Sequence, residues 1–262
     1  MKISLCIITC NEQKNLRRCL ESARLIVDEI IVVDSGSTDE TREIAREFSA
    51  IWEHKDWQGY AAQKNYAISR ASYEWVLSLD ADEAISQHLL SELLCWKTEN
   101  IIPPEYGGFS MPRCTHYEGR WIRSGDWYPD RVVRLFRKDR SFYEGGKVHE
   151  RLSTKGSIIR LSGDLEHYSY TSRIDHFKRV ELYSELWADS KFEEGKKVFP
   201  GEGVIRSIHK FVRSFLFRFG FMDGWQGLQI SLISSSETYK KYKKLCAKMK
   251  SSNNSNKSQG LS

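Results

Sequence analysis

The chain of 262 residues is long enough to bury one large core, and its 40% hydrophobic and 29% charged residues are ordinary for a globular protein. Six cysteines without a C-x-x-C pair exclude a zinc-finger spacing and indicate reduced thiols. The net charge of +5 is uneven, because seven lysines and no acid lie between Tyr239 and Ser262. No apolar run reaches the roughly 20 residues that span a bilayer, so we expect a protein made and kept on the cytoplasmic side.

The first hundred residues alternate between strand patterns and helix patterns. The predicted strands are Ile3–Ile8, Glu29–Val33, Ile51–Trp52 and Trp75–Leu79. The predicted helices are one with Leu16, Cys19, Leu20 and Ala23 on a single face, one over Thr38–Phe48 behind a capping box of Ser37 and Glu40, and one over Gly59–Ser69. This alternation predicts an α/β fold, with a mostly parallel sheet covered by helices on both faces.

Polar clusters follow three of these strands where each strand ends: Thr9–Glu12, Asp34–Asp39 and Asp80–Glu83. In such sheets ligands bind outside the carboxyl ends of the strands. Asp80 and Asp82 stand one residue apart, so the two carboxylates can share a divalent cation with phosphate oxygens. The competing interpretation is a solvated turn in which Ser86 or Asp82 caps a helix that starts near Gln87. Neither G-x-G-x-x-G nor G-x-x-x-x-G-K-[ST] occurs, so a nucleotide would be held in another way.

Four motifs stand in order over this stretch: Ile-Ile-Thr-Cys-Asn-Glu (7–12), Val-Val-Asp-Ser-Gly-Ser-Thr-Asp-Glu-Thr (32–41), Ala-Gln-Lys-Asn-Tyr-Ala (62–67) and Leu-Asp-Ala-Asp-Glu (79–83). Their succession resembles family 2 glycosyltransferases, the inverting enzymes of GT-A (Rossmann-like) fold. The later Trp-Tyr-Pro-Asp (127–130), Arg-Leu-Phe-Arg (134–137) and Val-His-Glu (148–150) are similar to the branch that includes bacterial lipopolysaccharide core glucosyltransferases.

The resemblance implies a role for each motif. The nucleotide-sugar set that it implies is Thr9, Asn11, Glu12, Asp34, Gly36, Lys64 and Asp80. Within this set Asp34 contacts the base, Asp80 approaches the ribose, and Lys64 stands where the family usually has an Arg, keeping the charge but not the planar fork. Asp82 would bind Mn²⁺ or Mg²⁺ with the donor diphosphate, for which a UDP-sugar is expected. Such a cation stabilises the negative charge that grows on the departing phosphate.

An inverting transfer also needs one carboxylate to accept the proton of the acceptor hydroxyl. Glu150 is the candidate by position, with Asp130 and Asp126 behind it. The competing interpretation of Glu150 is a surface carboxylate paired with Arg151 or Arg113.

The domain prediction is a catalytic domain over residues 1–170, with a nucleotide-sugar half at 1–100 and an acceptor half at 101–170. Within the acceptor half, Trp121–Asp130 is rich in aromatic and acidic side chains, which suit a sugar as well as they suit a packed loop. Residues 171–250 predict a helical extension, and 251–262 predict a disordered polar tail.

The extension begins with a helical pattern over Arg173–Glu194. The next predicted helix is basic and amphipathic; its apolar face carries Ile208, Phe211, Val212, Phe215, Leu216 and Phe219. Together with the lysine-rich tail, this pattern predicts contact with an anionic membrane surface. A helix packed on the catalytic domain is the alternative.

These patterns predict an inverting, metal-assisted transferase that moves a sugar from a nucleotide sugar to a lipopolysaccharide-core or other lipid-linked glycan. The expected place is the inner face of the cytoplasmic membrane, with no nucleic-acid partner. A noncatalytic nucleotide-sugar or membrane-binding module of the same fold is the alternative. A nucleotidyltransferase is disfavoured because the chain lacks a glycine-rich, lysine-containing N-terminal loop.

Overall fold

The computed structural model describes residues 1–99, 102–145, 150–170 and 173–259, which divide into two compact units. The sheet unit comprises Met1–Thr115 and Pro129–Ser169, and the helical unit comprises His116–Tyr128 and Tyr170–Ser262. Residues 116–128 therefore group with the C-terminal helices. The predicted domain boundary at residue 170 stays a prediction.

The chain starts with the alternation that its hydrophobic pattern predicts. Its first elements are β1 (Ile3–Thr9), α1 (Leu16–Ala23), β2 (Glu29–Asp34), α2 (Thr41–Glu47), β3 (Ile51–His54), α3 (Tyr60–Arg70), β4 (Trp75–Asp80), β5 (Glu83–Ile85) and α4 (Gln87–Glu99). The following strands are β6 (Tyr106–Tyr117), β7 (Arg120–Ile122), β8 (Asp130–Arg137), β9 (Ser141–Gly145), β10 (Glu150–Thr154), β11 (Ser157–Arg160) and β12 (Leu165–His167).

The main sheet has the strand order β3-β2-β1-β4-β8-β6-β12-β5. The first four strands are mutually parallel, and β8 runs antiparallel between β4 and β6. Thr9 pairs in register with Asp34, and Ile8 pairs with Asp80. The carboxyl ends of β1, β2 and β4 therefore meet at one edge, as the α/β prediction requires.

Apolar side chains bury both faces of β1. Ile3, Leu5 and Ile7 belong to one core cluster together with the predicted face of α1, whereas Cys6 belongs to a second cluster with Ala67 of α3. Full burial of each large aliphatic side chain contributes about 1.5–3 kcal/mol. Helices therefore cover both sides of the parallel strands, and the predicted α/β class is confirmed.

The predicted capping box at Ser37 is wrong. Helix α2 begins at Thr41, and the Ser37 hydroxyl instead donates a hydrogen bond to Asp34 at 2.5 Å. Ser37 is thus used to shape the loop at the strand end. At α4 the Ser86 hydroxyl accepts the amide N–H of Leu89 at 3.2 Å, so of the two caps that the competing interpretation of this segment offered, Ser86 caps the helix.

The helical unit contains α5 (Arg173–Glu193), α6 (Glu202–Val212), a π-helical turn (Arg213–Phe217), a 3₁₀ turn (Gly220–Asp223) and α7 (Gly224–Gln259). The backbone of α7 is helical to Gln259, which differs from the disorder predicted from residue 251. Extending an existing helix carries no nucleation cost, so serine and asparagine can continue one that they would not start. In the described part of the chain, no helix is long and apolar enough to cross a bilayer.

Candidate active site

Asp34 organises the loop that follows β2. Its Oδ1 accepts the Thr9 hydroxyl at 2.9 Å, and its Oδ2 accepts the backbone N–H groups of Gly36 and Ser37 at 2.8 and 2.7 Å. Gly36 has a φ of 107°, which glycine adopts without steric cost. This loop therefore folds back onto a buried carboxylate.

Asn11 joins the loop after β1 to the loop after β2. Its backbone N–H donates to the Ser37 hydroxyl at 2.7 Å, and its side-chain oxygen accepts the Thr38 N–H at 2.8 Å. Asn11 has a φ of 57°, a left-handed conformation that asparagine tolerates better than most residues. The two loops are thus locked together by side chains that the sequence pattern placed at the same edge.

Glu12 connects this pair of loops electrostatically to the Asp-x-Asp segment. Its backbone N–H donates to the Thr41 hydroxyl at 2.8 Å. Burial raises the pKa of the Glu12 carboxyl, and the neighbouring negative charges of Asp82 and Asp80 raise it further. Burial and these neighbouring carboxylates therefore all disfavour the charged form of Glu12.

Lys64 and Arg134 hold Asp80 between them. Lys64 Nζ lies 2.7 Å from Asp80 Oδ1 and 2.9 Å from Glu150 Oε1, and Arg134 donates to Asp80 Oδ2 at 2.7 Å. Burial alone would raise the pKa of Asp80, but the charges of Arg134 and Lys64 hold it well below its ordinary range. Burial would likewise lower the pKa of Lys64, but Asp80 and Glu150 keep it above its ordinary value. Asp80 and Lys64 therefore stay charged.

A second buried carboxylate, Glu83, extends the network. Its Oε1 accepts Arg134 at 2.7 Å and Arg113 at 3.4 Å, and its Oε2 accepts the backbone N–H of Asp80 at 3.1 Å. Arg113 also donates to Asp130 at 2.6 Å. Arg113 thus pairs with Asp130 and Glu83, and Glu150 is bound by Lys64, contrary to the alternative in which Glu150 pairs with Arg113.

Asp82 has a different neighbour, the imidazole of His167. His167 Nε2 lies 3.4 Å from Asp82 Oδ2, and its Nδ1 lies 3.4 Å from the Thr115 hydroxyl. The pairing of β12 with β5 and β6 places His167 there, and the Tyr168 N–H donates to the Asp82 carbonyl at 2.8 Å. A carboxylate beside an imidazole whose other nitrogen has a partner suits a divalent cation.

Across residues 1–99, 102–145, 150–170 and 173–259, no group of three or more His, Cys, Asp or Glu side chains forms a metal-binding cluster. Mg²⁺ is usually bound through one or two carboxylates together with substrate phosphates. Asp82 and His167 fit that pattern, because the phosphates of a donor would supply the remaining ligands.

Asp126 belongs to the helical unit. Its carboxylate lies 2.7 Å from Lys210 Nζ and 3.6 and 3.7 Å from Arg218 and Arg213. Three cations therefore surround this candidate base. Of the Val-His-Glu motif, Val148 and His149 lie outside the described residues.

Three residues of this site were not assigned to it from the sequence: His167, Glu83 and Arg134. Arg134 and Glu83 stand in the sequence only within motifs, Arg-Leu-Phe-Arg (134–137) and Leu-Asp-Ala-Asp-Glu (79–83). His167 carries no local signal, because only the long-range pairing of β12 brings it to Asp82.

Comparisons with known proteins give the class of enzyme to which this chain belongs. Residues 4–102 match the family model described as Glycosyl transferase family 2. An uncharacterized glycosyltransferase of Rickettsia typhi is 31% identical over 255 residues, covering 93% of this chain and 86% of the relative. The lipopolysaccharide core biosynthesis glycosyltransferase LpsC of Rhizobium meliloti is 28% identical over 261 residues, covering 92% and 93%. The chain belongs to glycosyltransferase family 2, so the predicted family and enzyme class are confirmed.

Solved structures are also similar. TarS from S. aureus in complex with UDP-GlcNAc covers 90% of this chain and 79% of its own, with 15% identity and a TM-score of 0.46. Glucosyl-3-phosphoglycerate synthase from Mycobacterium tuberculosis in complex with phosphoglyceric acid covers 75% and 81%, with 15% identity and a TM-score of 0.49.

Proposed function

We propose that this glycosyltransferase is an inverting, metal-assisted enzyme that uses a nucleoside diphosphate sugar, with a UDP-sugar as the expected donor. The observation that carries the proposal is the convergence of the loops after β1, β2 and β4 on one sheet edge, next to Asp82 and His167. The similarity to LpsC, a lipopolysaccharide core biosynthesis glycosyltransferase, supports a lipopolysaccharide-core or other lipid-linked glycan as the acceptor class.

The donor set in this proposal is the one predicted from the motifs. Asp34 has a more specific role, because its four acceptor positions are already filled by Thr9, Gly36 and both the N–H and the hydroxyl of Ser37. It therefore shapes the pocket for the base. Asn11 and Glu12 line that pocket, and the network around Lys64 and Asp80 holds the ribose side.

Asp82 and His167 would hold the divalent cation, Mn²⁺ or Mg²⁺, in contact with the donor diphosphate. When bound, the cation supplies stabilisation of the negative charge that develops on the leaving phosphate.

Glu150 is the proposed base. Its Oε1 accepts Lys64, which also binds Asp80, so Glu150 is held one side chain away from the Asp-x-Asp segment. Its Oε2 would accept the proton of the acceptor hydroxyl. Asp130 is the competing candidate, because Arg113 holds it in the same network through Glu83.

The test of donor and metal is a screen of nucleotide sugars, with and without Mn²⁺, for protection against thermal unfolding, followed by assays of nucleoside diphosphate release. A ligand that binds only the folded state raises its stability. Asp82→Asn is expected to lower turnover by about 10²–10³-fold, as loss of one charge-stabilising group does elsewhere. Asp56→Asn, at a side chain that is 95% exposed, is the matched control. Full activity of Asp82→Asn would remove the metal from the mechanism, and donor binding without any release would favour the noncatalytic alternative.

The test of the base compares Glu150→Gln with Asp130→Asn. The base variant should keep donor-induced thermal protection and lose about 10²–10⁴-fold in turnover. Normal turnover by Glu150→Gln, with loss in Asp130→Asn, would transfer the role to Asp130.

A further inference from the structure

Large apolar side chains of α6 and the turns after it face solvent in the helical unit. We call this surface the apolar ridge; its members, each more than half exposed, are Ile205, Ile208, Phe217, Phe219, Met222 and Trp225. Isolated exposed apolar residues are ordinary, but a dense group along one stretch of chain indicates an interaction surface.

Aromatic contacts link Phe219 of the ridge to neighbouring rings. Phe211 stacks on Phe215 with ring centroids 5.4 Å apart, and Phe215 in turn lies 6.2 Å from Phe221. Phe219 lies 6.0 Å from Phe221 and has a φ of 58°, a left-handed conformation that is unfavourable for a bulky side chain. An exposed aromatic ring is thus kept at a position where glycine would fit more easily.

The backbone beneath the ridge is firmly packed. A Cβ placed on Gly227 would lie only 1.8 Å from the Gly220 carbonyl oxygen, so the two segments approach as closely as glycine allows. The Ser214 and Ser231 hydroxyls lie 3.2 Å apart, and buried Asp223 accepts the Ser124 hydroxyl at 2.5 Å. The exposed rings are therefore presented on a rigid support.

Positive charge accompanies the ridge. Residues 204–222 contain four basic side chains and no acidic one, and the helical unit as a whole carries a net charge of +8 against −3 for the sheet unit. Lys210, Arg213 and Arg218 share the single carboxylate of Asp126, which leaves an excess of two positive charges among these four groups.

The lysine-rich tail contributes less than its sequence predicts. In α7, Lys240 pairs with Glu181, Lys244 with Glu181 and Glu185, and Lys248 with Glu185 and Asp189, all on α5. These charges are matched inside the helical unit.

We propose that the apolar ridge is the surface through which this protein lies on an anionic lipid bilayer. Aromatic and aliphatic side chains enter the boundary between headgroups and acyl chains, and the arginines beside them meet the lipid phosphates. The excess of two positive charges among Lys210, Arg213, Arg218 and Asp126 matches a negatively charged surface. The inference concerns a binding surface of the helical unit, and it does not depend on the proposed donor or base.

The test is co-sedimentation of the full chain with phosphatidylcholine vesicles that contain or lack phosphatidylglycerol. The ridge variant combines Phe217→Ser, Phe219→Ser and Trp225→Ser. Its partition onto anionic vesicles is expected to fall by about 10³-fold or more, because each of the three rings contributes about tenfold or more when it is buried. The control variant combines Ile174→Ser, Phe177→Ser and Leu182→Ser, which are exposed apolar positions of the same unit, and should bind like the wild type. Thermal unfolding checks that both variants fold.

A second measurement locates the contact. Brominated lipids should quench part of the wild-type tryptophan fluorescence, and Trp225→Phe should lose that part while it still binds. Replacing Lys240, Lys244 and Lys248 with glutamine should change binding by less than the ridge variant does. Equal binding of the ridge variant and the wild type would overturn the proposal. So would a wild type that ignores vesicles and forms a dimer which the ridge variant dissociates, because the ridge would then cover a second copy of the chain.

Discussion

The carboxyl edge of the sheet unit holds charged side chains away from solvent, whereas the apolar ridge of the helical unit exposes apolar side chains to solvent. At the sheet edge charges are buried, and each one has partners: Asp80 and Glu83 are held by Arg134 and Lys64. On the ridge, apolar rings are exposed on a rigid support. A buried charge needs an oppositely charged or hydrogen-bonding partner within the molecule, whereas a cluster of exposed apolar rings indicates a binding partner outside it. The charged network of the sheet edge is suited to catalysis, and the exposed rings of the ridge are suited to binding another surface.

The strongest test of this contrast is removal of a buried cation. Arg134→Met would leave Asp80 and the fully buried Glu83 without their shared partner, and it should lower the free energy of unfolding by about 3–5 kcal/mol. Urea denaturation measures this change. Arg17→Met breaks a solvent-exposed pair with Glu47 and should remain close to the wild type. Equal free energies of unfolding for the two variants would mean that the ion pairs of the sheet edge contribute no more to stability than an exposed ion pair does.

A smaller effect is expected from the second cation. Lys64→Met removes the link between Asp80 and Glu150, so turnover should fall about 10²-fold, chiefly through misplacement of the carboxylates. Lys64→Arg keeps the charge, but its planar fork does not match the single contacts that Lys64 makes, so we expect partial recovery. Separate measurement of kcat and KM decides the point, because a change confined to KM would make Lys64 a donor-binding residue only.

The smallest expected effect concerns His176, a buried histidine of the helical unit. His176 packs against Tyr117 and Tyr170, and burial lowers its pKa to about 4. An unfolded histidine binds a proton near its ordinary pKa of about 6.5. The contribution of His176 to the free energy of unfolding is therefore fully present above that pH, and it is lost as the pH drops towards 4. Between about pH 7 and pH 5 the loss should be about 2 kcal/mol.

Urea unfolding at both pH values measures this slope. His176→Gln should flatten it, and His88→Gln, on the surface, should not. A slope that persists in His176→Gln would assign the pH dependence to other groups.

The parallel half of the fold follows from its local patterns. Continuous apolar runs at β1, β2 and β4, each ending in polar residues, fix both the strands and the edge where their ends meet. The helical unit is harder to infer, because the middle of α7 contains the run Ser234-Ser235-Ser236, whose serines are not typical of a helix. Packing against α5 and α6, which no local pattern encodes, sustains it.

The candidate site divides in the same way. Thr9 and Asp34 were placed together from the sequence because neighbouring parallel strands carry them. Arg134 lies on β8, which is antiparallel to both neighbours, and His167 lies on β12, which pairs antiparallel with β5 and parallel with β6. Both strands come from later in the chain, so the partners of these side chains depend on strand order and register. The lysines of α7 show the same dependence, since their ion pairs with α5 exist only in the folded unit.

Cys10 provides a natural site for chemical modification in the loop after β1. It is exposed beside Thr9, whereas Cys6, Cys19 and Cys114 are buried, and burial raises the pKa of the Cys6 and Cys19 thiols. Since the thiolate is the reactive form, an alkylating reagent will modify Cys10 long before those two. The rate at which exposed Cys95 is modified serves as the internal reference. A lower rate of Cys10 modification relative to Cys95 therefore measures ligand binding at this loop, without any engineered probe.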